Sequence, residues 1–65
     1  MKKHREYQSV MLTTNKYIDD NLKKGMLGTI LEVYDDENYE IEWYDDLGNV
    51  ILMRAFNIDD FDVLE

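Results

Sequence analysis

The sequence predicts an all-β fold, a small five-stranded barrel, and three observations carry that prediction. Residues 39–44 alternate without a break: Tyr39, Ile41 and Trp43 fall on one side, Glu40 and Glu42 on the other, the pattern of a half-buried antiparallel strand. Short apolar runs are separated by polar turns at 35–38, 45–49 and 57–60, a spacing that favours a sandwich or barrel. The chain has no proline, and its three glycines stand where such a fold needs punctuation. With 65 residues only one domain is expected. A barrel is the economical solution, because closure removes free strand edges.

The elements follow in order. Residues 1–6 are expected to be a flexible, basic N-terminal tail holding Lys2, Lys3, His4 and Arg5, and residues 7–65 the domain. The first strand is placed at 7–13, with Val10 and Leu12 on one face and Ser9, Met11 and Thr13 on the other. A long loop follows over 14–24, rich in the turn formers Asn15, Asp19, Asp20 and Asn21. Within it Tyr17, Ile18 and Leu22 are suited to one helical turn or to tucking onto the core; a longer helix over 16–24 is the alternative. The second strand, 26–34, starts between Gly25 and Gly28. Its run Ile30, Leu31, Val33 breaks strict alternation and predicts a bulge. Residues 50–56 are largely apolar and predict a central strand covered on both faces. A single 3-10 turn at 57–60 precedes a short last strand, 61–64.

Charge and composition limit function. The net charge is −8. Residues 1–24 hold Lys2, Lys3, Arg5, Lys16, Lys23 and Lys24 against Glu6, Asp19 and Asp20, whereas beyond them Arg54 alone opposes the remaining acidic residues. Such a body repels nucleic acid, whose binding depends on neutralising phosphates. It attracts basic partners and speeds encounter with them. Without cysteine there are no disulfides, thiolate metal sites or cysteine nucleophiles, and a cytoplasmic location is expected. No apolar run reaches signal-peptide or membrane-span length. The spacing of Asp59, Asp60 and Asp62 fits no EF-hand loop. No base–nucleophile constellation surrounds His4 or Ser9, so neither catalysis nor a cofactor is expected.

The glycine-led run from Gly25 through Gly28, Thr29 and Ile30, then Tyr39-Glu40-Ile41-Glu42-Trp43, then Asp46 to Gly48, resembles the SH3-like barrels of the KOW type. More narrowly, it is similar to a small bacterial family of KOW-like domains found at toxin–immunity and toxin–antitoxin loci. The resemblance implies a five-stranded barrel with a long loop after the first strand and a 3-10 turn before the last. It also implies an immunity protein or antitoxin that neutralises a cognate toxin encoded nearby.

The residues that carry this expectation form an acidic hairpin. Glu32, Asp35, Asp36, Glu37, Glu40, Glu42, Asp45 and Asp46 lie in a stretch without Lys or Arg. Carboxylates so disposed can pair with the active-site Arg and Lys of a basic nuclease. Tyr34 and Tyr44, at the strand ends, are added as contact aromatics. The alternatives are a KOW-like module that touches RNA or ribosomal and transcription proteins through Lys16, Lys23 and Lys24, and an acidic nucleic-acid mimic that inhibits a host enzyme. The chain alone is expected to be monomeric.

Overall fold

The structure is a computed structural model and describes residues 4–64. Five strands, β1 (Ser9–Leu12), β2 (Leu27–Val33), β3 (Asn38–Tyr44), β4 (Val50–Asn57) and β5 (Phe61–Leu64), form one antiparallel sheet in the order β4-β3-β2-β1-β5. Two 3-10 turns punctuate it, η1 (Ile18–Asp20) in the loop after β1 and η2 (Ile58–Asp60) before β5. This is the expected barrel-like architecture.

One face of the sheet supplies the core. Val10, Leu12, Ile30, Tyr39, Ile41, Trp43, Phe56 and Phe61 are buried, joined by Leu22 from the loop. The Tyr39 ring on β3 meets the Phe61 ring on β5 edge-on, with centroids 5.6 Å apart. Two strands separate β3 from β5 in the sheet, and at about 4.8 Å per strand a flat sheet would hold them roughly 14 Å apart. The sheet therefore curls round its own side chains. The indole N–H of Trp43 is buried at the centre of this packing with no hydrogen-bond partner among the described residues, a polarity cost the ring's packing must outweigh.

Gly28 makes the curl possible. It is paired with Trp43 across β2 and β3. A Cβ there would lie 2.5 Å from the Glu42 carbonyl oxygen and 2.7 Å from the indole. No other residue fits under that ring without moving backbone. The expected bulge is present, as the β2–β3 register shifts between Ile30 and Glu32. Leu31 is thus the extra residue, and Glu32 returns to the outward face opposite Glu40.

The loop after β1 makes one turn of helix and no more. Asn21 sits in the left-handed region (φ 66°) and its N–H caps the Ile18 carbonyl, which ends η1. Leu22 then plugs the core and the Tyr17 ring packs edge-on against Phe56 at 4.9 Å.

Three expectations need correction. The first strand is shorter than 7–13, because Tyr7 adopts a positive φ of 69°. The strand over 50–56 is not central. β4 lies at the sheet edge, and of its eight residues only Phe56 is buried; its apolar outward residues are solvated rather than covered. The ladder also stops at β4 and β5, which do not pair among the described residues. Of the segment expected to be a tail, residues 1–3 lie outside the described residues, and the His4 imidazole packs 5.4 Å from the Tyr39 ring. Among the described residues, no helix is long and apolar enough to cross a membrane.

Candidate partner-binding face

The outward face of the sheet is set by the same alternation that builds the core. The inward side chains of β3 leave Glu40 and Glu42 outward, and the ladder places Glu32 opposite Glu40 and Thr29 opposite Glu42. On the other flank Ala55 lies opposite Glu40 and Met53 opposite Glu42. Three carboxylates thus stand within one ladder step of each other. Like charges facing across strands destabilise a sheet.

Their neighbours among the described residues are hydroxyls, not cations. The Tyr34 hydroxyl donates to Glu40 Oε1 at 2.8 Å. The Tyr44 hydroxyl donates to Glu42 Oε2 at 2.5 Å and lies 2.9 Å from Thr29 Oγ1. The bond to Glu40 raises the Tyr34 hydroxyl above the ordinary tyrosine range, with burial adding to it. The bond to Glu42 does the same for Tyr44, with the Thr29 contact pulling the other way. The ion pairs among the described residues, Lys16–Asp60 and Arg54–Asp20, are both elsewhere.

The structure divides the predicted acidic hairpin. Glu32, Tyr34, Glu40, Glu42 and Tyr44 form one continuous face. Asp35 and Asp45 instead hold the turns at its two ends. Asp35 Oδ1 accepts from the backbone N–H groups of Glu37 and Asn38. Asp45 Oδ1 accepts from those of Leu47 and Asn49, in a turn that Gly48 completes at φ 85°. The Asn49 N–H foremost, and then the Leu47 N–H, hold the Asp45 carboxyl below the usual range. Both side chains are spent on local structure. Asp36, Glu37 and Asp46 are exposed at the turn tips.

The basic loop residues are disposed differently from one another. Lys16 is committed to Asp60. Lys23 and Lys24 line an open groove of about 440 Å³ with Met26, Leu27, Tyr44, Asp45 and Asp46. Among the described residues no group of three His, Asp or Glu side chains converges to hold a metal ion.

Sequence reasoning missed Asp60, which is 2 % exposed. Its carboxylate takes the Tyr17 hydroxyl at 2.6 Å and Lys16 Nζ at 2.7 Å, and its carbonyl accepts from Thr13 N. Burial alone would push this carboxyl up. The hydrogen bonds from Lys16 and Tyr17, with the lysine charge, outweigh that and hold it down. Nothing local in the sequence separates Asp60 from its exposed neighbour Asp59.

Residues 6–63 match a family described as a domain of unknown function (DUF4926). No curated protein and no solved structure matches the chain.

Proposed function

Since the chain belongs to the DUF4926 family, its role has to be read from its own surface, and we propose that it is a non-catalytic binding protein. In this reading it neutralises a basic bacterial toxin, a nuclease domain by preference, in the manner of an immunity protein or antitoxin, and works in the cytoplasm.

The observation that carries the reading is the outward row Glu32, Glu40 and Glu42, set side by side with tyrosine hydroxyls and with no ion-pair partner among the described residues. A fold keeps such a row at some cost in stability. A partner that brings Lys or Arg relieves the repulsion and gains charge-assisted hydrogen bonds. Tyr34, 48 % exposed, offers a flat contact beside the charges. The resemblance to KOW-like domains of toxin loci points the same way. The engagement of Lys16 by Asp60 and the placement of Lys23 and Lys24 beside Asp45 and Asp46 leave little for an RNA backbone.

The test is co-expression of the tagged chain with the product of the adjacent gene, joined to a growth assay. A neighbour that is toxic alone, harmless together and co-purifies supports the reading. Replacing Glu40 and Glu42 by lysine should then slow association at least tenfold at low salt. An unchanged association rate would sink the acidic-face mechanism.

A further inference from the structure

We infer that the free edge of β4 is where the partner is gripped: an extended segment carrying Lys or Arg at alternate positions adds there as a sixth strand. This rests on the reading of the chain as a binder of basic proteins and specifies how such a protein is held.

β4 is the longest strand, and β3 is its only ladder partner among the described residues. After the register shift between Trp43 and Tyr44, residues 52–57 run in regular register with β3. Their outward backbone N–H and C=O groups have no partner among the described residues. Natural edges are blunted by proline, by lysine or by bulges along their length. This stretch carries none of these three and has only an inward-pointing charge, Arg54, as protection. Its single cation, Arg54, is turned to the core side, where it pairs with Asp20 and lies over the Tyr17 and Phe56 rings. Unpaired strand edges of this kind are templates for strand addition.

The charge beside the edge selects the occupant. Across the sheet the outward rows read Thr29, Glu42, Met53 and Glu32, Glu40, Ala55. A sixth strand would stand two strand spacings from β3, about 10 Å. Only the small Ala55 and the flexible Met53 lie between, so a long cationic side chain on the added strand can reach over them to Glu40 or Glu42. A second copy of the chain is disfavoured by its own net charge of −8.

The test uses a short synthetic peptide of alternating valine and lysine, titrated into the intact chain and followed by backbone amide NMR. Two control peptides of equal charge are N-methylated at every valine or at every lysine. Alternate residues of a strand turn their N–H groups to opposite edges. Strand addition therefore predicts that one control binds like the parent and the other about tenfold or more weakly. It also predicts shifts along β4 and weaker binding to Ala55→Lys, a change at an exposed position. Equal binding by all three peptides would overturn the edge and leave the basic-partner reading intact. Loss of preference for the peptide in neither Glu40→Lys nor Glu42→Lys would overturn that underlying reading as well. If sedimentation finds the chain already dimeric with its β4 amides protected from exchange, the edge belongs to a second copy and the inference falls.

Discussion

Two groups of carboxylates on this small barrel are used in opposite ways. Asp60 is buried where η2 meets the loop after β1; its carboxylate is satisfied by Tyr17 and Lys16, and its backbone carbonyl accepts from the Thr13 N–H. Glu32, Glu40 and Glu42 stand on the outward face of β2 and β3, where tyrosine hydroxyls donate to Glu40 and Glu42. The first arrangement holds the loop to the barrel. The second leaves like charges side by side. Residue type does not separate the two roles; the presence or absence of a counter-charge does.

That contrast breaks most sharply at Asp60. Asp60→Ala leaves the Tyr17 hydroxyl and Lys16 without their partner and should cost about 2 kcal/mol in urea unfolding. A loss below about 0.5 kcal/mol would mean that the staple is ornamental. Tyr17→Phe keeps the ring on Phe56 and deletes one hydrogen bond, so about 1 kcal/mol is expected from the same measurement. A double-mutant cycle with Asp60→Ala should find the two effects strongly non-additive.

The pH dependence sharpens the comparison further. The Asp60 carboxyl is held below its ordinary value of 3.8 in the folded state. Its stabilisation is therefore fully present above that value and drains away as pH falls through the lower, folded one. Acid unfolding of Asp60→Asn should lack this limb, and identical acid profiles for the two chains would refute the assignment. The smallest effect belongs to the outward row. Glu40→Gln with Glu42→Gln should leave stability within about 0.5 kcal/mol of the parent, on the stabilising side. Marked destabilisation would show that the row is structural after all.

The inward half of this picture was legible in the sequence, because it follows from local period. Tyr39, Ile41 and Trp43 could only share a face, and Glu40 and Glu42 could only oppose them. Gly28, Gly48 and the bulge at Leu31 announced themselves by residue type and broken alternation. What failed was non-local. The apolar run of β4 reads alike whether a strand is central or at an edge, and strand order decides which. The loop's apolar residues Tyr17, Ile18 and Leu22 were suited to the core as a group, but no period told that Leu22 would be buried and Ile18 left exposed. Asp59 and Asp60 are twins in sequence; only Tyr17 and Lys16, brought from the far side of the chain, make one of them a structural anchor. The turn roles of Asp35 and Asp45 were readable from turn chemistry, yet they were masked by the surrounding charge.

The pairing of β1 with β5 sets an order of events in the life of the chain. Ser9 is the ladder partner of Leu64, so β1, the first strand of the sheet to be made, waits for β5, the last of the five. During synthesis the three-stranded meander of β2, β3 and β4 can assemble as it emerges, while Val10 and Leu12 have only one flank covered. Such distant pairing slows folding. It also makes completion of the barrel nearly all-or-none: a chain truncated before β5 loses Phe61 and the cover for β1 together. An emerging ribosomal product would therefore present the acidic hairpin before the barrel is closed beneath it.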